Sequence, residues 1–152
     1  MNLEHRIPPP LVAVLTAAVM WGLSRLLPGD NVPFLVCAVP AGMLALAGLA
    51  VMLAGVWSFR RARTTVNPLR PASASALVTG GIYRWTRNPM YLGMATLLLA
   101  WAAWLASPAA LPGVLLFVAY IQRFQIQPEE EALERLFGDG YRDYCARVRR
   151  WL

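Results

Sequence analysis

NPMYLGMATLLLAWAAWLASPAALPGVLLFVAYIQ, residues 88–122, carries no charged side chain. As one straight helix rising 1.5 Å per residue it would reach about 50 Å, well past the ~30 Å hydrocarbon layer of a bilayer. Ser107-Pro108 and Pro112-Gly113 interrupt it near the middle, so it reads as two apolar arms folded into a hairpin. Each arm offers only roughly 15 to 17 apolar residues, so local thinning or incomplete depth is expected. The arginines point the same way. Fourteen arginines and no lysine give a net charge of +6, and six of them lie in residues 60–87 without a single acid. One span would put that basic loop and the basic tail on opposite sides of the membrane. A hairpin keeps both on one side, which the positive-inside bias makes cytoplasmic, together with the N-terminus.

Upstream, residues 32–59 are also free of charge, and a first apolar run at 11–27 lies between Pro8-Pro9-Pro10 and the turn Pro28-Gly29-Asp30-Asn31. That first run lacks a convincing cleavage site and reads as a retained helix. Ala41, Gly42, Ala45, Ala47, Gly48 and Ala50 recur in the second run. Small residues let helix backbones approach closely in lipid, so the first two helices are expected to form a tight hairpin. Hydrophobic residues make up 58% of the chain and charged ones 14%, against roughly 25% charged in soluble domains. The fold class is therefore all-α and integral to a membrane, with about four transmembrane helices, the last two a hairpin, plus amphipathic C-terminal helices. The chain reads as one domain over 1–152, with an N-terminal helical hairpin (1–59) and a core with its tail (77–152).

The positive charge is assigned to topology and anionic lipid headgroups rather than to nucleic acid. Cys37 and Cys145 lack a metal or redox spacing and His5 has no partner motif, so free thiols and no metal are expected. No charge sits in mid-membrane where an ion path would need one. Thr64, Thr65, Asn67, Pro68, Pro71, Ser73 and Ser75 mark a loop, and Leu77-Val78-Thr79-Gly80-Gly81-Ile82-Tyr83 is expected to bend at the paired glycines. The tail starts at Pro128 and reads as two amphipathic helices separated by Gly138-Asp139-Gly140. On a wheel of about 100° per residue, Ala132, Leu133, Leu136 and Phe137 share a face. Glu129 falls near the centre of that face and Glu130 at its edge, while Glu131 and Glu134 point to solvent. A glutamate within an apolar stripe is costly unless a cation or hydrogen-bond donor meets it. Tyr141, Tyr144, Cys145, Val148 and Trp151 recur at helical spacing among arginines, as in a helix lying in the headgroup layer.

Two clusters carry chemistry: residues 81–93 before and within the first arm, and Glu129-Glu130 after the second. A hairpin returns both to one membrane surface. Taken singly, Arg87 and Tyr91 read equally as interfacial anchors and Pro89 as an ordinary first-turn residue. Glu129 and Glu130 could be first-turn acids on a helix dipole; that reading holds easily for Glu131 and Glu134 and fits Glu129 poorly, given its place on the apolar face.

Arg87-Asn88-Pro89-x-Tyr91-x-Gly93, then a hydrophobic hairpin and Glu129-Glu130, resembles the R-H-P-x-Y-x-G…E-E pattern of integral membrane S-adenosylmethionine-dependent methyltransferases. These include isoprenylcysteine carboxyl methyltransferase and the phospholipid N-methyltransferases. Leu133…Phe137-Gly138…Tyr141…Tyr144 resembles the family tail, so the likeness covers about residues 77–151. Asn88 stands where histidine is usual; it forms hydrogen bonds but cannot titrate, so a binding role is expected of it. The resemblance implies S-adenosyl-L-methionine as cofactor. Glu129 and Glu130 suit its ammonium, and Arg87, Asn88 and nearby amides suit its carboxylate. Tyr83 and Tyr91 offer aromatic edges, and the backbone from Leu77 and Val78 to Gly81 offers a wrap for the adenine. Pro89 and Gly93 complete the motif, and no catalytic side chain is assigned.

The implied reaction is methyl transfer to a lipophilic small molecule or prenylated acceptor reaching the site from membrane lipids, in a bacterial or archaeal cytoplasmic membrane. The acceptor atom (O, S or N) and the oligomeric state stay open. The rival readings are a related membrane reductase using NADPH, or a non-catalytic lipid-binding protein.

Overall fold

The computed structural model describes residues 7–27, 33–62 and 77–152. His5, the turn expected at 28–31 and the loop expected across 63–76 lie outside them. The first helix, α1, runs Pro9–Leu26 and starts where Pro8 and Pro9 are compatible with its first turn. The second, α2, runs Phe34–Arg61, with Arg60 and Arg61 in the last turn, where the helix dipole favours cations. The third, α3, runs Pro89–Leu105 and begins with Pro89 directly after Asn88. It ends at Ala106, whose left-handed backbone (φ 49°) cannot continue the helix. A 3-10 turn, Pro108–Ala110, leads into α4, Leu111–Ile121, which folds back on α3. The doubled-back pair foreseen from the uncharged stretch is present, with its corner at 106–110.

Beyond α4 the chain does not break. A π turn, Gln122–Ile126, joins it to α5, Gln127–Phe137, in one helical run. The tail was expected to begin as a new element at Pro128. Proline lacks the N–H for the α-helical bond and its ring crowds the preceding turn, and the wider π turn just ahead of it accommodates both. The run then stops at Gly138, at φ 51° and ψ −125°, and α6 follows over Asp139–Arg147. Open space surrounds the position of a Cβ at Gly138, so substitution there meets backbone strain alone. Gly138→Ala is expected to cost about 1–3 kcal/mol, seen as a lower melting temperature in detergent; an unchanged value would contradict this geometry. The helical spacing expected through Trp151 ends early: Val148 is extended and residues 149–152 are not helical.

The small residues of α2 serve a different neighbour from the one expected. The long face of α2 packs along α3, whereas α1 packs on α3 and α4. A Cβ on Gly48 would lie 2.9 Å from the Gly93 carbonyl oxygen, and one on Gly93 would lie 2.6 Å from the Gly48 carbonyl oxygen. The two backbones touch there, as bare glycines permit. At the next contact along α2, Gly55 sits against Pro89, at 3.2 Å from a Cβ position to Cγ. On the other flank, Trp101 Nε1 donates to the Ala17 carbonyl (3.1 Å) and Met20 is buried beside Gly113.

Tyr91, Leu98, Phe117, Ile121 and Ile126 complete the core around Met20. Leu35, Met43, Leu46 and Leu53 of α2 stay largely exposed, as an apolar face turned to lipid does. Pro9–Leu26, Leu35–Arg61 and Pro108–Phe137 are long and apolar enough to cross a membrane, and Pro89–Leu105 is a shorter apolar helix. Among the described residues the fold is all-helical, and the protein is integral to a membrane.

Candidate active site

Three chain segments meet at the end of α3 that carries Asn88. The first is irregular at residues 77–79 and tightens into a 3-10 turn, Gly81–Arg84. Gly81 takes φ 62° there, with Ser58 Oγ 2.9 Å from where a Cβ would stand, so glycine is required twice over. The turn buries Tyr83 edge-on against Phe59, with ring centroids 5.4 Å apart. The second segment is the inward face of α5, and the third is α6 with the residues after it. Tyr144 of α6 donates its hydroxyl to the Tyr83 carbonyl at 2.8 Å. Burial pushes the hydroxyls of Tyr83, Tyr141 and Tyr144 well above the ordinary phenol range. They stay protonated and do not serve as bases.

The two glutamates of α5 are used differently. Glu130 is held by two arginines: Arg87 Nη2 lies 3.1 Å from it, and Arg150 donates from Nε at 3.0 Å and from Nη2 at 2.6 Å. Glu129 accepts a hydrogen bond from the Tyr91 hydroxyl at 2.5 Å. No arginine pairs with it among the described residues. Glu131 and Glu134 are exposed and Ala132 is buried, as the wheel arranged them; Leu136 is exposed and departs from it. Arg87 also contacts the Cys145 sulfur through Nη1, and its Nε is buried without a hydrogen-bond partner among the described residues. Both Cys37 and Cys145 are free thiols.

These groups border one cavity, open in part to the outside. Leu77, Val78, Tyr83, Arg87, Asn88, Tyr91, Glu129 and Glu130 all line it. Three of the expected binding residues do not. Gly81 shapes the turn, Pro89 starts α3 against Gly55, and Gly93 is the contact point with Gly48. Pro89 and Gly93 owe their place in the motif to packing of α2 on α3. The cavity also takes in Phe59, Met90, Leu133, Tyr141 and Tyr144, which the sequence motif alone did not assign. The spacing of Tyr141 and Tyr144 marked a face of the tail without saying that the face turns inward.

Asn88 lines the cavity, but its side-chain amide donates to the Arg150 carbonyl at 2.9 Å. The expected binding role is thus directed, in this structure, at the protein's own tail.

Comparison with known proteins bears on this arrangement. An uncharacterized protein of Haemophilus influenzae (strain ATCC 51907 / DSM 11121 / KW20 / Rd) is 51% identical over 63 residues, covering all of that protein and 41% of this chain. No solved structure matches the chain. The profile of the phospholipid methyltransferase family matches residues 36–140. That span holds α2, the glycine turn, the hairpin and both glutamates, and on it the chain belongs to the phospholipid methyltransferase family.

Proposed function

We propose that this protein transfers a methyl group from S-adenosylmethionine to a lipophilic acceptor at the cytoplasmic face of a membrane, the acceptor being of phospholipid or isoprenylcysteine-carboxylate type. One observation carries the reading. Glu129 is a carboxylate on the wall of a largely apolar cavity, its partner is the neutral Tyr91 hydroxyl, and no cation among the described residues pairs with it. Such a group favours a cationic ligand, because a cation offsets the cost of burying its charged form.

The residues present fit the cofactor. Glu129 offers a charge-assisted acceptor for an ammonium. The buried, unpartnered Nε of Arg87 offers a donor for a carboxylate. Leu77, Val78, Phe59 and Met90 supply apolar wall for an adenine or an acceptor chain. When bound, the cofactor supplies an electrophilic methyl group on a sulfonium.

The protein's part is alignment and dryness. Tyr91 fixes the Glu129 carboxylate by its hydrogen bond, and the ring of Tyr83 closes one side. Positioning of this kind lowers the barrier of a displacement without any proton transfer. Glu130 is already held by two guanidiniums, and no histidine among the described residues lines the cavity. That composition favours an acceptor that arrives already nucleophilic, such as a carboxylate, over an ammonium that must first lose a proton.

Tyr91→Phe deletes one hydrogen bond to a charged group, and such bonds contribute about 1.5–3 kcal/mol. The bond is made without ligand too, so what the ligand loses is the fixed orientation of the Glu129 carboxylate; affinity for S-adenosylhomocysteine is expected to fall severalfold by calorimetry in detergent, and retained affinity would remove Tyr91 from the site. The reading as a whole is tested by incubating purified protein with methyl-labelled S-adenosylmethionine and a panel of phospholipids and prenylated thiols. Label is expected in the lipid phase only when an acceptor is present. No transfer to any acceptor, together with calorimetric binding of NADPH in place of S-adenosylhomocysteine, would replace this reading with a reductase.

A further inference from the structure

Arg150 stands outside the family match and outside the motif, yet it pairs with Glu130 on the cavity wall. Its guanidinium grips Glu130 with two hydrogen bonds, the fork geometry in which arginine binds carboxylates best. Glu130 is 18% exposed, and its other partner, Arg87, is 13% exposed, so solvent screens the cluster only partly.

The backbone on both sides of Arg150 is pinned. The Arg87 amide donates to the Arg149 carbonyl at 3.1 Å, and the Asn88 side chain donates to the Arg150 carbonyl at 2.9 Å. Thr86 Oγ1 reaches the same carbonyl at 3.4 Å, and Trp151 Nε1 donates to Gln122 at 3.1 Å. A residue in a non-helical tail is thereby held from α3's leading turn on one side and from the π turn on the other. Little side-chain freedom remains to be lost when a ligand arrives.

We infer that Arg150 is a positioning residue that occupies Glu130, so that Arg87 keeps its place and Glu129 alone is left to receive a cationic ligand. This rests on the reading of Glu129 given above and adds a role for the tail. Charge supports it. Arg87 and Arg150 both gather on Glu130, and Glu129 stands apart on the Tyr91 hydroxyl, so the cationic end of the site and its free acid are separate, as the two ends of a zwitterionic amino-acid group require. Without Arg150, Arg87 is the one cation left to Glu130 among the described residues, and its guanidinium is drawn toward that acid. The same contacts give Asn88 a part to play. Where a titratable side chain is usual, its amide holds the carbonyl of the residue that secures Glu130.

The test measures S-adenosylhomocysteine affinity by calorimetry in detergent, with melting temperatures alongside, for the wild type and for Arg150→Gln, Arg150→Lys and the double variant Glu130→Gln/Arg150→Gln. Arg150→Gln is expected to lose roughly tenfold or more in affinity, Arg150→Lys to recover part of it, and the double variant to recover more, since it removes the acid that competes for Arg87. Recovery of affinity in the double variant beyond any recovery of its melting temperature is the decisive readout, because deleting both partners of a merely structural pair restores stability and affinity together. Wild-type affinity in Arg150→Gln, or a double variant no better than Arg150→Gln, would overturn the inference while leaving the proposed function standing. A wild-type protein that binds no S-adenosylhomocysteine would overturn both.

Discussion

Glu129→Gln is expected to reduce S-adenosylhomocysteine affinity by about 10- to 150-fold, while Glu131→Gln changes it by less than about twofold. The two residues share a helix, α5, and differ in the direction they face. Glu129 meets Tyr91 on the cavity wall and Glu131 is exposed. Glutamine keeps the size and an acceptor oxygen for the Tyr91 hydroxyl, so what it removes is the negative charge. A hydrogen bond to a charged partner contributes about 1.5–3 kcal/mol, which at 1.4 kcal/mol per decade yields the range stated. Calorimetry in detergent reads it directly. Equal losses for the two variants would show that the inward face of α5 does not carry the ligand.

The largest expected effect on stability comes from Gly93→Val. Even a methyl group at Gly93 would sit 2.6 Å from the Gly48 carbonyl oxygen, a backbone atom on a packed helix that cannot swing aside. Relief requires α2 and α3 to separate along their contact. Overpacking a tight interior costs typically 1–3 kcal/mol, and a β-branched side chain against backbone is expected at about 3 kcal/mol. The readout is the thermal unfolding midpoint in detergent. Gly42→Ala supplies the comparison, because nothing lies within 4 Å of its added carbon and alanine is the better helix former by about 0.5–1 kcal/mol. A midpoint for Gly93→Val at or above that of Gly42→Ala would show that the α2–α3 contact does not hold the fold. Asn88 and Tyr91 ride on the start of α3, so cofactor affinity is expected to fall in the same variant.

Parts of this arrangement are legible in the residues because the physics behind them is local. A charge-free stretch too long for one crossing, cut by Ser107-Pro108 and Pro112-Gly113, specifies a doubled-back pair, and the chain turns at 106–110. The wheel of α5 separates Glu129 from Glu131 because both sit in regular helix. Other features depend on partners that no local pattern names. The small residues of α2 require a close neighbour but do not say which helix it is; the answer is α3, through Gly48 and Gly93, rather than α1.

Pro128 carries the usual mark of a helix start, and a π turn that lets a helix run through proline leaves no periodicity to read. Arg150 looks like any headgroup arginine of a basic tail. Its pairing with Glu130 follows from the return of residues 149–151 to Thr86, Arg87 and Asn88. In the motif itself, Pro89 and Gly93 are packing residues beside true cavity residues, and a sequence string does not distinguish the two.

Most depends on one place in the molecule, where a methyl donor's amino-acid end would meet Glu129 in the cavity between the 77–79 segment, α3 and α5. A crystal structure of the protein grown with S-adenosylhomocysteine tests it most directly. The ligand amino nitrogen is expected within about 3 Å of the Glu129 carboxylate, with Glu130 still gripped by Arg87 and Arg150. Ligand density outside this cavity, or an amino group paired with Glu130 while Glu129 stays on Tyr91 alone, would contradict it.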